Sequence, residues 1–335
     1  MARPVFSVVI DNYNYGRFIG QALDSVLAQD APAGSVETIV VDDGSTDDSR
    51  EVVARYGDKV RLIAQKNGGQ SAAFATGFAA ATGEFVCPLD SDDYWTPDKL
   101  TSVAAAFADP RIGIVQHYQR DVDAVGRPLN NPLPPWPQRY TIGDFLDGRF
   151  VNAATSSLAF RKSVLDKLLP VPKDVFYLYD DYLLDHGLLE CDVACIPRIL
   201  GFHRIHGANN WAMNMRNPKK LGGSIDELRR FRAYLEPKLK ARGLAFTARY
   251  ETLQRLEILR REVLLAAHEG RRGDAFASWR RLNAEMGSGL GAFRAATLLL
   301  AIASPSSYLR LHALYSDQHW MADLRRRLLP EPAGH

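Results

Sequence analysis

Three aspartates at the end of one apolar segment are the residues whose types and spacing point most directly to chemistry. Asp90, Asp92 and Asp93 follow the segment Phe85–Leu89. Adjacent ionised carboxylates repel one another, and each is costly to desolvate unless a positive charge lies among them. Two interpretations follow: a solvated turn that caps a helix beginning near Thr96, or a divalent-cation site at the carboxyl end of a strand.

Two further apolar segments also end in aspartate. Asp11 follows Phe6–Ile10, and Asp42 and Asp43 follow Val36–Val41. The carboxyl ends of parallel strands lie along one edge of a sheet, where α/β proteins bind their ligands. Acids in scattered solvated loops would have no reason to follow successive strands, so this recurrence favours the cation site over the solvated turn.

The elements that must position these acids alternate between strand and helix. Apolar residues at helical spacing follow the first strand, a helix through Val52 and Val53 follows the second, and small residues predict a helix over Ala72–Ala81. Short turns between such elements indicate parallel strands joined by crossover helices. The predicted strands are Phe6–Ile10, Val36–Val41, Val60–Ala64 and Phe85–Leu89.

The glycines of this part form neither of the common phosphate-binding loops. No G-x-G-x-x-G follows the first strand, and the sequence contains no G-x-x-x-x-G-K-[ST]. A dinucleotide-dependent oxidoreductase and a P-loop enzyme are therefore disfavoured. A diphosphate would instead bind through a metal ion that the acids hold.

Composition indicates a globular protein without a disulfide framework. The chain has 335 residues, 46% of them hydrophobic, which is enough for a large core in one or two domains. Cys191 and Cys195 have no second Cys or His pair at zinc-ligand spacing, so we expect unpaired thiols and a reducing compartment. Met1–Phe6 does not resemble a signal peptide, and the longest apolar run, Ala295–Ala303, is about half of a membrane-spanning helix.

Charge is divided unevenly along the chain. The first 215 residues carry a net charge of −8, and residues 216–330 carry +11. The basic part is either a helical bundle with a solvated face or a surface that docks on an anionic membrane. Nucleic-acid binding is not expected, because no recognition motif accompanies the charge. The predicted elements are a linker at Pro218–Gly223, helices over Ile225–Ala241, Ala245–Glu269, Asp274–Glu285 and Phe293–Ala303, and an amphipathic segment over Tyr308–Leu329.

Four motifs in the N-terminal part resemble those of family 2 glycosyltransferases. They are Ser7-Val-Val-Ile with Tyr13-Asn14, Val41-Asp-Asp-Gly-Ser-Thr-Asp, Asn67-Gly-Gly with Thr82-Gly-Glu-Phe-Val, and Leu89-Asp-Ser-Asp-Asp-Tyr-Trp. Their order and spacing match the family, and a weaker resemblance extends to about residue 212. The resemblance implies the GT-A fold, an α/β architecture with a mostly parallel sheet flanked by helices. It assigns the catalytic domain to residues 1–212 and leaves residues 213–335 as a basic α-helical domain.

The resemblance also implies a UDP- or dTDP-sugar as donor and Mn²⁺ or Mg²⁺ as cofactor. In the family's arrangement Tyr13 would contact the base, and Asp42 would accept a hydrogen bond from its ring N–H. Asp90 would bind the ribose, and Asp92 would hold the metal on the diphosphate. A hard cation that bridges two phosphates has few positions left for protein carboxylates. The predicted nucleotide-sugar site comprises Asp11, Tyr13, Asp42, Asp43, Asn67, Asp90, Asp92 and Arg204.

One position of this set departs from the family. Proline is usual where this chain has Asp11, and threonine or valine is frequent where it has Asn12. Asp11 is either a local turn former or a change in the nucleotide pocket. The sequence favours the turn former, because aspartate readily bonds to its own backbone in turns.

An acidic pair, Asp180-Asp181, resembles the family's Glu-Asp motif with Asp180 in place of glutamate. The second acid of that motif is the general base, which implies that Asp181 takes the proton of the acceptor hydroxyl. An inverting transfer needs one carboxylate in this role, as the acceptor oxygen attacks opposite the leaving group. The alternative is a helix N-terminus that favours acids through its dipole. Asp185, one helical turn later, is the less favoured substitute.

A second segment, His203-Arg204-Ile205-His206, resembles a Tyr/His-Arg-x-His segment that closes over the diphosphate in relatives. It implies that Arg204 pairs with a phosphate or an acid and that His206 is a further metal ligand. The alternative is structural, since an isolated histidine usually is. Residues 121–140, rich in Pro, Asn and Gly, are predicted to form an irregular loop, either near the acceptor or as a packed surface loop. Asn152–Phe160 is small, polar and strand-like, and it resembles a Ser/Thr-rich segment that lies beside the acceptor pocket in the family.

Together these residues predict an inverting, metal-dependent glycosyltransferase acting on a glycan or lipid-linked acceptor, in surface polysaccharide, glycolipid or glycoprotein assembly. Its expected location is cytoplasmic, and peripheral contact with the inner face of the cytoplasmic membrane through the basic helices stays open. A sugar nucleotidyltransferase is the enzymatic alternative, although its usual Gly-rich N-terminal loop is missing. A sugar- or membrane-binding module without turnover is the non-enzymatic alternative.

Overall fold

The computed structural model describes residues 5–32, 35–129, 133, 135–176, 178–206, 217–285 and 290–308. The chain forms two units. The first comprises Met1–Arg127, Pro134–Phe145 and Arg149–Arg204, and the second comprises Pro128–Leu133, Leu146–Gly148 and Ile205–His335. The predicted domain boundary after residue 212 lies outside the described residues, so it stays a prediction.

One mixed sheet organises the first unit. Its strands are β1 (Phe6–Asn12), β2 (Val36–Asp42), β3 (Arg61–Ala64), β4 (Phe85–Asp90), β5 (Tyr94–Trp95), β6 (Ile112–Val122), β7 (Arg139–Tyr140), β8 (Leu158–Arg161) and β9 (Asp192–Arg204). Their order in the sheet is β3-β2-β1-β4-β8-β6-β9-β5, and β7 pairs with β9. The first four strands in that order are mutually parallel, whereas β8 pairs antiparallel with both of its neighbours.

Helices connect and flank these strands. Crossover helices join parallel β1, β2, β3 and β4, as short turns and helical spacing predict. The helices that begin in the first unit are α1 (Gly16–Leu27), α2 (Ser49–Ala54), α3 (Gln70–Ala80), α4 (Lys99–Ala106), α5 (Ile142–Leu146), α6 (Lys162–Leu168) and α7 (Tyr179–Gly187). Those of the second unit are α8 (Pro218–Ala241), α9 (Ala248–His268), α10 (Arg272–Glu285) and α11 (Leu290–Ala303). The predicted α/β architecture with a helical C-terminal region is confirmed.

The central strands are apolar on both faces because helices cover both. Val8, Val9 and Ile10 of β1 are fully buried. The small residues of α3 allow this helix to lie directly on the sheet: a Cβ atom at Gly77 would come within 2.2 Å of the Cγ1 atom of Val9. A close-packed core of this kind fixes the heights at which the strands end, and therefore where the residues at their carboxyl ends lie.

Strand register brings the predicted acids into line. Asp11 on β1 pairs with Asp90 on β4, so the two side chains leave the sheet on the same face. Asn12 pairs with Asp42 on β2, and these two side chains leave on the other face. The carboxyl edge therefore carries one acidic pair and one amide–acid pair.

In the second unit, the predicted linker at Pro218–Gly223 is wrong, because these residues form the first turns of α8. Pro218 occupies the first helical position, where a missing N–H costs nothing. The side chain of Asn217 caps the helix by accepting from the N–H groups of Lys219 (3.0 Å) and Lys220 (3.3 Å). The amphipathic segment predicted over Tyr308–Leu329 lies beyond the described residues, apart from its first residue.

Two other predictions are partly met. Only Leu158–Arg161 of the strand-like segment forms a strand, and a 3₁₀ turn precedes it. β6 and β7 occupy the two ends of the predicted loop at residues 121–140.

None of the described helices is long and apolar enough to cross a membrane. The cysteines form no disulfide, and Cys87 and Cys195 are buried.

Candidate active site

A pair of half-buried aspartates, Asp11 and Asp90, lies at the centre of the carboxyl edge. Oδ1 of Asp90 accepts a hydrogen bond of 2.9 Å from Nε2 of Gln70, at the start of α3. Oδ1 of Asp11 is buried and has no hydrogen-bond partner within the described residues. Burial, with the nearby charge of Asp92, raises the pKa of Asp11 to about 8. Burial, followed by the charge of Asp11, raises the pKa of Asp90 well above its usual range.

The next two acids occupy the turn between β4 and β5. Asp92 and Asp93 are both buried. Oδ1 of Asp93 accepts from the backbone N–H of Arg204 at 2.9 Å. Burial raises the pKa of Asp93 to about 6, although His203 opposes this shift. Four carboxylates, including Asp11 and Asp90, therefore crowd one small region, an arrangement that favours a bound cation.

His203 places a positive charge beside these carboxylates. Nδ1 of His203 lies 2.9 Å from Oδ1 of Asp121 on β6. Burial alone would lower the pKa of His203, but Asp93 and Asp121 raise it to about 9. An imidazolium at neutral pH therefore offsets part of the negative charge around Asp93.

Arg204 holds the acidic turn in place through its main chain and its guanidinium group. It is buried, and its Nε donates to the carbonyl oxygen of Asp92 at 2.9 Å. Its Nη1 donates to the carbonyl oxygen of Ala124 at 3.0 Å. The guanidinium also lies over the rings of Phe18 and Tyr94, 4.8 and 5.3 Å from their centroids. These contacts give Arg204 a structural task at the site, and its predicted contact with phosphate stays a prediction.

Asp42 and Asp43 build the loops that border the site. Oδ1 of Asp42 accepts from Nε of Arg50 at 2.6 Å, and Oδ2 accepts from Nδ2 of Asn12 at 3.1 Å. Asp43 accepts from the backbone N–H groups of Gly68 and Gly69, the latter at 2.7 Å. Both carboxylates are buried and already hold several donors. Their predicted contacts with a nucleotide remain untested.

The remaining predicted nucleotide contacts are accessible from solvent. The side chain of Tyr13 is 46% exposed, just beyond β1, and Asn67 is exposed in the loop that Asp43 anchors. Asn14, the residue after Tyr13, adopts a positive φ of 59°, which asparagine tolerates. Its Oδ1 accepts from the backbone N–H of Thr46 at 2.7 Å and so ties the loop after β1 to the loop after β2.

The predicted base lies in the first turn of α7. The backbone N–H of Asp181 donates to Oδ1 of Asp180 at 3.0 Å, while the residue before the helix, Leu178, provides no side-chain cap. Burial raises the pKa of Asp180. Burial, with the charges of Asp181 and Asp180, raises the pKa of Asp185 well above its usual range. Asp180 therefore accepts a hydrogen bond in the first turn of the helix, and the role of Asp181 as base stays a prediction.

One short segment, Asn152–Ser156, connects the base to the acids of the sheet. Asn152 Nδ2 donates to Oδ1 of Asp181, and Thr155 Oγ1 donates to Oδ2 of Asp180 at 3.4 Å. Ser156 Oγ accepts from the backbone N–H of Asp90 at 3.0 Å. The sequence signals for this segment were its small, polar composition and its resemblance to a Ser/Thr-rich segment beside the acceptor pocket in the family. Gln70 had no signal at all, because its partner is twenty residues away.

The donor atoms at the carboxyl edge suit a hard divalent cation. The described residues contain no preassembled group of three metal-ligating side chains. Mg²⁺ and similar ions are usually held by one or two carboxylates together with substrate phosphates, so a full protein cage is not required. The buried, unpartnered oxygen of Asp11 beside Asp90 and Asp92 fits that requirement. His206, the other predicted ligand, belongs to the second unit, and its role stays a prediction.

Comparison with known sequences extends over most of the first unit. Residues 7–169 match glycosyl transferase family 2. An uncharacterized glycosyltransferase from Nostoc sp. is 35% identical over 221 residues, which are 61% of this chain and 66% of that protein. The poly(ribitol-phosphate) beta-N-acetylglucosaminyltransferase TarS of Staphylococcus aureus is 38% identical over 108 residues, 31% of this chain. The chain thus matches about two thirds of the first relative and 19% of the length of TarS.

Solved structures share the fold over a larger part of the chain. TarS residues 1–349 in complex with UDP superpose with a TM-score of 0.52 and 17% identity, covering 83% of this chain and 89% of that one. The mannosyltransferase PcManGT from Pyrobaculum calidifontis, in complex with GDP-Man and Mn²⁺, gives 0.58 and 21% identity, covering 94% and 88%. These similarities place the chain in the GT-A fold.

Proposed function

Because the chain belongs to glycosyl transferase family 2, we propose that it is an inverting glycosyltransferase that moves a sugar from a nucleoside-diphosphate sugar to an acceptor hydroxyl. The observation that carries this proposal is the meeting of two groups of acids. The charge of Asp180 on α7, whose neighbour is the proposed base Asp181, acts on Asp90 at the sheet edge and contributes to raising its pKa. A donor held at the sheet edge would therefore lie near a carboxylate able to accept a proton.

The proposed donor is a UDP- or dTDP-sugar. Support comes from the exposed Tyr13 at the end of β1 and from relatives whose structures contain UDP or GDP-Man. Asp92 would hold Mn²⁺ or Mg²⁺, with Asp11 and Asp90 close by and His206 as a further predicted ligand. When bound, such a cation neutralises the negative charge that develops on the departing diphosphate.

The proposed chemistry of the transfer assigns the proton to Asp181. The acceptor oxygen attacks the anomeric carbon from the side opposite the nucleotide, and its proton passes to the carboxylate of Asp181. The bond between the anomeric carbon and the phosphate oxygen breaks as the new glycosidic bond forms, so the configuration inverts. Burial of Asp92 and Asp93 limits the water that could compete with the acceptor.

A glycan or lipid-linked acceptor, in surface polysaccharide, glycolipid or glycoprotein assembly, is the proposed setting. Cytoplasmic location, with peripheral contact to the inner face of the membrane, belongs to the same proposal. Its support is the basic character of the second unit, in which residues 216–330 carry a net charge of +11.

The test is a screen of UDP-, dTDP- and GDP-sugars for release of nucleoside diphosphate, with Mn²⁺, with Mg²⁺ and with a chelator. We expect release with one donor, its loss on chelation, and a fall of about 100-fold or more in Asp92→Ala and in Asp181→Ala. Nucleotide binding should persist in Asp181→Ala. Full sugar transfer in both variants would contradict the mechanism. Release of pyrophosphate from a nucleoside triphosphate and a sugar phosphate would identify a nucleotidyltransferase instead.

A further inference from the structure

We propose that Asn152 is a positioning residue that orients the carboxylate of Asp181 for proton transfer. The inference rests on the proposed function of Asp181 as base. Nδ2 of Asn152 donates a hydrogen bond to Oδ1 of Asp181, across 29 residues of sequence. Because Asn152 contacts the carboxylate of Asp181, we assign its effect on the reaction to that hydrogen bond.

An amide is chemically well suited to this task. It stays neutral at every pH at which the enzyme is folded, and it can donate to a carboxylate without forming an ion pair. A hydrogen bond to the ionised form favours that form and fixes the rotation of the carboxylate about its bond to Cβ. An arginine or lysine here would hold the base more tightly but would also reduce its tendency to accept a proton.

The loop that carries Asn152 is irregular but anchored on both sides. On one side, Nε2 of the buried Gln116 in β6 donates to the carbonyl oxygen of Val151 at 3.1 Å. On the other side, Ser156 Oγ accepts from the N–H of Asp90 at 3.0 Å. The carbonyl oxygen of Ser156 accepts from Nε1 of Trp95 at 2.8 Å. A site residue on a loop is held accurately only when such buried partners fix the loop.

The charges around Asp181 make a neutral donor valuable. Asp180 and Asp185 lie on the same helix, and both carboxylates disfavour a further negative charge nearby. The charge of Asp180 also acts on Asp90 at the sheet edge, so the negative charge extends from the helix to the sheet. Asn152 opposes these effects at Asp181 without cancelling the charge that the base needs.

The test replaces Asn152 by a residue of similar size that cannot donate. In Asn152→Leu we expect kcat for nucleoside diphosphate release, with the most active sugar nucleotide of the screen, to fall about 10-fold or more. The KM for that donor should stay within about twofold of wild type. The acidic limb of the pH–rate profile should move about one pH unit higher, because the ionised base has lost a donor. Asn152→Ser, which keeps a shorter donor, should restore part of the activity.

Thr155→Val is the matched control, since it alters the same segment but contacts Asp180 instead. It should leave the acidic limb in place. A readout that needs no turnover is the ¹³C carboxyl resonance of Asp181 in protein labelled with [γ-¹³C]Asp, assigned by its loss in Asp181→Asn. Its titration midpoint should rise in Asn152→Leu and should rise much less in Thr155→Val.

The outcomes separate this inference from the proposed function. If Asp181→Asn abolishes turnover while Asn152→Leu changes neither kcat nor the resonance midpoint, the positioning role is wrong and the function stands. If Asp181→Asn retains turnover, the assignment of the base is wrong. If Asn152→Leu weakens donor binding as strongly as it lowers kcat, or if Asn152→Ser fails to recover activity, Asn152 has a general structural role.

Discussion

Asp11 combines features of both sequence interpretations. A turn former satisfies its carboxylate with nearby backbone N–H groups, as Asp43 does with Gly68 and Gly69, and the carboxylate of Asp11 also bonds to its own backbone N–H. Asp11 nevertheless faces Asp90 from the neighbouring strand, and its buried Oδ1 has no hydrogen-bond partner among the described residues. This arrangement costs stability unless a cation or a ligand donor occupies the site.

We therefore expect Asp11→Asn to have opposite effects on stability and on cation binding. Because burial and the charge of Asp92 disfavour the ionised form of Asp11, a neutral amide should leave the melting temperature of the ligand-free protein equal to or above that of wild type. The same change should weaken Mn²⁺ binding about 10-fold, measured by electron paramagnetic resonance of free Mn²⁺. Asp58→Asn, at an exposed position that is not part of the predicted site, is the charge-matched control. A lower melting temperature with unchanged Mn²⁺ affinity would support the turn former.

Other residues of the site illustrate what a sequence leaves undetermined. Asp42, Asp43 and Arg204 were recognisable from their motifs, but the motifs do not show that their polar atoms are already engaged by Asn12, by glycine N–H groups and by backbone carbonyls. Asn152 and Gln70 were not recognisable. Each acts through a long-range hydrogen bond, and a single amide within a polar segment leaves no periodic pattern.

At the scale of elements, periodicity identified the parallel half of the sheet well, because continuous apolar runs alternate there with helical spacing. It identified the mixed half poorly. β9 contains Pro197 and the polar residues His203 and Arg204, which mask its apolar positions. The start of α8 was missed because its proline and glycines suggested a linker, although proline is favourable at the first helical position.

Helix α4 begins with a feature that opposes two general rules. Lys99 is its first residue, fully buried, at the end of the helix whose dipole disfavours a cation. Its Nζ lies 3.4 Å from the centroid of the Trp95 ring and close to the buried thiol of Cys87, which opposes the lowering of the lysine pKa. Burial lowers the pKa of Lys99 to about 8. A cation–π contact offsets only part of the desolvation cost.

The stability of wild type should consequently depend on pH in the alkaline range. The pKa of Lys99 is lower in the folded protein than in the unfolded chain, so between about pH 8 and 10.5 the unfolded chain binds more protons, and the free energy of unfolding rises with pH. Lys99→Met should be more stable than wild type by about 1–3 kcal/mol at pH 7. That difference should shrink at pH 10, in urea unfolding followed by circular dichroism.

The control for this prediction is Lys59→Met, because Lys59 is exposed in the turn before β3. Its stability should follow wild type at both pH values, within about 0.5 kcal/mol. A Lys99→Met protein that is less stable than wild type at pH 7 would mean that the contact with Trp95 outweighs the cost of burying the charge.

For the whole molecule, the second unit raises the question of which basic side chains are available to a partner. Its net charge suggested a basic face, but many arginines are engaged in ion pairs. Arg229 pairs with Glu262 at 2.6 Å, and Arg255 pairs with Glu285 at 3.1 Å. Such paired side chains contribute little to the attraction of an anionic surface, because their fields largely cancel beyond a Debye length.

A stripe on α10 is the part of the second unit best suited to a membrane surface. Arg272, Phe276 and Arg280 are spaced by four residues and share one helix face. Phe276 is 47% exposed, and neither arginine forms an ion pair among the described residues. Cationic side chains flanking an exposed aromatic ring are typical of helices that lie in the interface of an anionic membrane.

Vesicle sedimentation can therefore separate a localised docking stripe from a diffuse basic charge. We expect wild type to bind vesicles rich in phosphatidylglycerol at low salt, and to dissociate from them as the salt concentration rises. Arg272→Gln with Arg280→Gln should lower the affinity about 30-fold, since each cation near the surface is worth about 1 kcal/mol and the two together about 2 kcal/mol. Arg229→Gln with Arg255→Gln removes the same charge from paired positions and should have a much smaller effect. Equal losses in both double variants would indicate diffuse attraction, and no binding by wild type would mean that the basic residues form a solvated face.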